Sequence, residues 1–195
     1  MLGDPDLFTI EESKSFGVWP LNYLSAYAMI PYIKRMRGDL VGVEVGVLKG
    51  ETSHVLLDTC PNIQRLYGVD FYKAHTDHDT VRPQESMDKY KEIAEKNLER
   101  FKDRYELMHM NSTDAAKKFD DNSVDFVLLD GDHTYTGIKT DLESWYPKVK
   151  SGGHIFIHDT FAQPVAQAIH DFKNEKRIRL PTLRSKNYIA FWVKP

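Results

Sequence analysis

The stretch LVGVEVGVLKGETS, residues 40–53, decides the fold. LVGVEV is a short and almost unbroken apolar run, the pattern of a strand buried on both faces. It stops at Gly46, and KGETS then supplies a second glycine and two hydroxyls, a composition suited to a helix start. Strand, glycine turn and helix make the opening of a βα unit, and the rest of the chain shows whether that unit repeats.

Apolar runs recur at RLYGV (65–69), YELMHM (105–110), VDFVLL (124–129) and HIFIH (154–158). Between them, ESMDKYKEIAEKNLERF sets Met87, Tyr90, Ile93, Ala94, Leu98 and Phe101 at helical spacing, one apolar stripe on a charged helix. QPVAQAIHDFKNEK does the same with Val165, Ala168, Ile169 and Phe172. Short apolar strands alternating with amphipathic helices predict a parallel sheet covered on both faces. The tail breaks the alternation: RIRLPTL and KNYIAFWV are separated by no more than RSK. So short a link cannot hold a crossover helix, so the two strands pair antiparallel. Upstream, WPLNYLSAYAMIPYIKRM reads as an aromatic-rich helix in which Pro31 is a kink or break. FYKAHTDHDTVRPQ (71–84) is polar and aperiodic, a long loop of the kind that forms lids.

Composition excludes several classes. The 195 residues suit one domain with a real core, and 41% hydrophobic with 28% charged content is ordinary for a globular protein. Lysine and arginine are scattered and the formal net charge is −3, unlike the basic stripe of a nucleic-acid binder. A lone cysteine, Cys60, excludes a disulfide framework and a cysteine zinc site and fits a reducing cytoplasm. The acidic MLGDPDLFTIEESKSF has no signal-peptide pattern, and no apolar run approaches a membrane span. A cytoplasmic protein with no membrane or nucleic-acid partner is expected; the oligomeric state is not legible.

The strand ends carry the chemistry. In the first turn, Gly46 and Gly50 let backbone approach a ligand, and Thr52 and Ser53 open a helix N-terminus that suits a carboxylate. The second strand ends at Asp70, where nucleotide-binding α/β folds place an acid on the ribose hydroxyls. The third ends in Asn111 and Ser112, placed to meet a base or to cap a helix. The fourth ends in LLDGDHTY (128–135), which sets Asp130, Asp132 and His133 close together, and the fifth in His158 and Asp159. All of them face one carboxyl edge, where ligands bind in open α/β sheets. Together they predict a nucleoside cofactor. Glu44 beside the turn would repel a pyrophosphate but attract the ammonium and sulfonium of S-adenosylmethionine, which leaves NAD second.

These residues resemble the class I S-adenosylmethionine-dependent methyltransferases over roughly residues 38–195. EVGVLKGETS is similar to their first motif, Asp70 to their ribose-binding acid, and the terminal hairpin to their seventh, antiparallel strand. VDFVLLDGDHTYTGIKTDLESWYPKVKSGGHIFIHD is similar to the branch of macrocin-type sugar O-methyltransferases and cephalosporin-hydroxylase-like proteins. The resemblance implies a three-layer Rossmann-like fold, a mostly parallel seven-stranded sheet with an antiparallel C-terminal hairpin strand. It implies one domain over 1–195: a helical cap at 1–37, the core at 38–195 and a lid at 71–84.

It also implies a function, O-methylation of a hydroxyl on a sugar or a glycosylated or phenolic metabolite. Glu44, Gly46, Gly50, Ser53, Asp70, Ser112 and Asp130 would hold S-adenosylmethionine. Asp130, His133 and His158 would be catalytic. In metal-dependent relatives the matching positions bind magnesium, which assigns Asp130, His158 and Asp159 to a magnesium or manganese ion. The chain departs from that pattern, because His158 stands where the relatives carry an acid. Magnesium prefers oxygen, whereas manganese, iron and zinc accept imidazole, and a metal-free site with a histidine base is the other reading. Trp19, Tyr23 and Tyr27, with the lid, would close over the acceptor. The competing functions are an NAD-dependent oxidoreductase and a non-catalytic nucleoside-binding module.

Overall fold

Alternation of strand and helix continues to residue 175 in three dimensions. The structure, a computed structural model, describes residues 23–77, 80–179, 182–184 and 189–195. Its elements are α1 (Tyr23–Ile33), β1 (Leu40–Val45), α2 (Glu51–Thr59), β2 (Ile63–Asp70), β3 (His75–Asp77), β4 (Thr80–Arg82) and α3 (Gln84–Leu98). There follow β5 (Tyr105–His109), α4 (Ser112–Ala116), β6 (Val124–Leu129), α5 (Tyr135–Trp145), β7 (Val149–Ile157), α6 (Gln163–Glu175), β8 (Leu183–Arg184) and β9 (Ala190–Val193).

Seven of the strands form one sheet in the order β5-β2-β1-β6-β7-β9-β8. The pairs from β5 across to β7 are parallel. β9 runs antiparallel between β7 and β8, which bears out the hairpin read from the tail. The first expected strand of that hairpin is shorter than RIRLPTL. Ile178 and Arg179 are irregular, and Arg177 takes a left-handed φ of 55°. Residues 180, 181 and 185–188 lie outside the described residues.

Two apolar layers sandwich the sheet. One face packs α1, α2 and α3 through Met29, Leu56, Ala94 and Leu98 against Leu40, Phe126 and Phe156. The other packs α5 and α6 through Ile138, Trp145, Ala168 and Phe172 against Val43, Val127 and Ile155. The stripe Val165–Ala168–Ile169–Phe172 is buried as its spacing predicts, and Met87, Ala94 and Leu98 are buried while Tyr90 and Phe101 are half-exposed.

Two expectations need correction. Pro31 lies inside α1 rather than breaking it. Lacking an N–H, it removes only the helical bond to the carbonyl of Tyr27, four residues back, and both residues lie on the exposed face of the helix. The 71–84 segment is not structureless: His75–Asp77 pairs antiparallel with Thr80–Arg82. Its base is clamped, because Nε2 of Gln84 donates to the Tyr72 carbonyl (2.8 Å) while Gln84 Oε1 accepts from the Ala74 N–H (3.1 Å).

Candidate active site

Each parallel strand hands its hydrogen-bond ladder one residue further, and this delivers the polar strand ends side by side. The Gly46 N–H donates to Val69 O, Asp130 N–H to Val45 O and His158 N–H to Leu129 O, at 2.8–3.0 Å. Between β1 and β6 the strand order reverses, the position where open α/β sheets part to admit a ligand. A cavity of about 1310 Å³ opens there, and Glu44, Gly46, Asp70, Ser112, Asp130 and His158 all line it. Gly46 has φ +88°, and a Cβ on it would stand 2.1 Å from the Asp130 carbonyl oxygen. No other residue fits that turn.

Asp70 secures the same turn. Its Oδ2 accepts from the N–H groups of Val47 and Leu48 (2.9 and 3.0 Å), and its Oδ1 from that of Tyr72 (2.8 Å). Three of the roughly four acceptor sites of a carboxylate are thus taken, leaving one toward the cavity. The Tyr72 hydroxyl closes the arrangement by donating to Leu48 O (2.8 Å). Glu44 is 2% exposed. Burial pushes its carboxyl well above the ordinary range; a hydrogen bond donated by the Ser53 hydroxyl opposes this, while Asp130, Glu51 and Asp70 add to it.

Gly50 and Ser53 support the site from behind. Neither is among the residues that line the cavity. Gly50 is the left-handed N-cap of α2, pressed against Leu98, and Ser53 is wholly buried behind Glu44. Glu51 and Thr52 line the cavity instead. The glycine turn rotates the first helical turn so that positions 51 and 52, not 53, face the opening. Periodicity could have signalled this, since 53 lies on the apolar stripe with Leu56 and Leu57.

At the opposite wall, four side chains converge. His133 Nε2 lies 3.2 Å from Asp130 Oδ1 and 3.7 Å from Asp159 Oδ2. His158 Nδ1 lies 3.0 Å from Asp130 Oδ1 and 3.1 Å from Asp159 Oδ1. Burial alone would raise the Asp130 carboxyl, but His133 and His158 outweigh it and hold it below its ordinary value. Burial would likewise depress His158, yet Asp130 and Asp159 leave it above the usual imidazole value. Asp159 adopts φ +52°, a left-handed conformation uncommon outside glycine and concentrated at functional sites.

Supporting contacts complete the wall. Trp145 Nε1–H donates to Ser112 Oγ (2.8 Å), and Ser112 is hydrogen-bonded in turn to the buried Asp141. Thr134 caps α5 by accepting from the Gly137 N–H (3.0 Å), and Asp132 Oδ1 accepts from the Thr134 N–H (2.9 Å). Asn111 caps α4 and accepts from Asp114 N–H (3.1 Å). At the mouth, His75, Thr76 and Arg82 of the hairpin and Ser25 of α1 line the cavity. Tyr27 is on the exposed surface; Trp19, the side chain of Tyr23, and residues 78 and 79 lie outside the described residues.

This sheet order, with a ligand cavity at the reversal and an antiparallel penultimate strand, defines a class I S-adenosylmethionine-dependent methyltransferase fold. A family model described as "Methyltransferase domain" matches residues 43–160, and the chain belongs to that family. Solved structures share the fold, two methyltransferases among them. The O-methyltransferase NovP superposes with a TM-score of 0.64 at 15% identity, over 89% of this chain and 78% of that one. The calicheamicin methyltransferase CalS11 superposes with a TM-score of 0.60 at 15% identity, over 88% and 78%. An uncharacterized protein of Sinorhizobium fredii, y4gI, is 37% identical over 54 residues, 28% of this chain; the match spans 6% of that protein's length. Among the described residues, no helix is long and apolar enough to cross a membrane.

Proposed function

We propose that the protein transfers the methyl group of S-adenosylmethionine to a hydroxyl oxygen of a small molecule. The observation that carries this reading is the charge of the cavity: Glu44, Glu51, Asp70 and Asp130 all line it. Such a floor suits a sulfonium and an ammonium and repels the pyrophosphate of a dinucleotide, because like charges in a partly desolvated site cost several kcal/mol.

In this reading Glu44 faces the cationic end of the cofactor. The Gly46 backbone and the free acceptor site on Asp70 meet its ribose, and Ser112 meets the base. Gly50 and Ser53 act by holding the turn and Glu44 in place. The acceptor hydroxyl lies beside Asp130, His133, His158 and Asp159. Its oxygen attacks the methyl carbon in line as the carbon–sulfur bond breaks, and its proton passes to this cluster, giving the methyl ether and S-adenosylhomocysteine. A hydroxyl is a poor nucleophile while protonated, so alignment and proton removal are the protein's share of the work. NovP and CalS11 support a small acceptor, and the branch resemblance points to a sugar or a glycosylated or phenolic metabolite.

Calorimetric titration with S-adenosylhomocysteine and with NAD tests the cofactor. Micromolar binding of the first and none of the second is expected; the reverse would replace this function with the oxidoreductase. Incubation with S-adenosylmethionine and a panel of hydroxylated metabolites, read by mass spectrometry, then tests the acceptor class. Asp159→Ala should abolish transfer while leaving S-adenosylhomocysteine binding intact.

A further inference from the structure

The donor set at the cavity wall does not match magnesium. Ligand atoms of Asp130, His133 and His158 lie within 4.8 Å of one another, two imidazole nitrogens and one carboxylate oxygen. Magnesium demands near-octahedral oxygen ligation and keeps its waters. Two imidazoles with a carboxylate are instead the donors of zinc and other first-row transition ions.

We infer that Asp130, His133 and His158 form a binding site for a first-row transition ion, not for magnesium, with Asp159 as a fourth ligand or as the group that orients the histidines. The spacing fits. Tetrahedral ligands at the usual bond length of about 2.0–2.1 Å stand roughly 3.3 Å apart, against 3.2 Å and 3.0 Å from Asp130 Oδ1 to His133 Nε2 and His158 Nδ1.

A second observation concerns the placement of His158. Its Nδ1 is buried and stands 3.0–3.1 Å from a carboxylate oxygen of Asp130 and one of Asp159, so a single nitrogen sits between two acids, the close grouping of nitrogen and oxygen donors that a transition ion takes. The backbone contributes too, since the left-handed φ of Asp159 brings its carboxylate alongside both histidines. Whether the ion binds depends only on these side chains. Its role, lowering the pKa of the acceptor hydroxyl, rests on the methyltransferase reading.

The test uses the untagged full chain stripped of metal by a chelator. Cobalt(II) is titrated and its visible d–d absorption followed, with zinc and magnesium as competitors. One equivalent of cobalt per chain is expected, displaced by zinc and not by a large excess of magnesium. His158→Ala and His133→Ala should each weaken cobalt binding by about a hundredfold or more, beyond the roughly 10–100-fold lost with a supporting residue. His170→Ala, at an exposed histidine beside Asp171, should bind as the parent does, and circular dichroism checks that each variant is folded. Absence of a cobalt band and of a zinc heat from the parent overturns the inference. So does magnesium binding as tight as zinc, or parent-like cobalt binding by both folded histidine variants. S-adenosylhomocysteine is titrated into the same preparation. Metal binding without it upholds the site and removes the cofactor reading; its binding without metal does the reverse.

Discussion

Trp145 and Ser112 are joined across the base of the cavity by an Nε1–H to Oγ hydrogen bond of 2.8 Å. Trp145 is fully buried, so the indole holds a cavity-lining hydroxyl from within the core. Trp145→Phe keeps most of the bulk and removes the donor. It should cost about 1–3 kcal/mol in urea unfolding and weaken S-adenosylhomocysteine several-fold; Ser112→Ala should match the second effect and also lose stability, because it strips the partner from the buried Trp145 Nε1–H and from Asp141. Equal affinity in both variants and the parent would separate Ser112 from the cofactor.

Asp70→Ala removes the acceptor of three backbone N–H groups beside the Gly46 turn. Each unsatisfied donor costs about 1–3 kcal/mol unless water reaches it. A lower melting temperature is therefore expected together with at least about tenfold weaker S-adenosylhomocysteine. Asp70→Asn, which keeps one acceptor oxygen, should fall between the two. Unchanged affinity in a folded Asp70→Ala protein would remove the residue from the site.

The buried Asp141 supplies a pH signature. Burial, opposed by the bond to Ser112 and aided by nearby Asp132, lifts its carboxyl to about 6 from the ordinary 3.8. Between those values the folded chain keeps a proton that the unfolded chain has released. The folded state is therefore favoured by this group at low pH, and stability declines as pH rises from about 4 through 6. The full effect is on the order of 3 kcal/mol. Asp141→Asn should gain stability over the parent progressively across that window, with a constant difference above it. A difference independent of pH would show that Asp141 is ionised throughout.

In the proposed function, Glu44 couples cofactor binding to protons. Its carboxyl is held well above the ordinary range by burial, so it holds its proton to higher pH than an exposed carboxylate does. A cationic ligand beside it favours the charged form, and binding should release a fraction of a proton. Calorimetry in buffers of different ionisation enthalpy would measure the release, which Glu44→Gln should abolish. Uptake instead of release would place the ammonium elsewhere.

The sheet was legible because its strands are apolar on both faces and its helices carry one stripe. VDFVLL and LVGVEV coincide with β6 and β1. The strand-end residues were legible for the same reason: once the strands are placed, Glu44, Asp70, Asp130 and His158 must share an edge. Rotation at the helix start, which sends Thr52 rather than Ser53 to the cavity, was legible only in the apolar stripe that 53 shares with Leu56 and Leu57. Polar, aperiodic residues could not reveal the β3–β4 hairpin, because its three-residue strands carry no apolar face.

The interlock of Gly46 with the Asp130 carbonyl has a thermodynamic corollary. A turn packed so closely against the neighbouring strand end cannot shift unless that strand end shifts with it. In the proposed function, occupancy on the cofactor side and occupancy at the Asp130–His158 wall would therefore draw on one shared equilibrium. Linkage is reciprocal: whatever factor a bound nucleoside contributes to affinity at the wall, a ligand at the wall returns to the nucleoside.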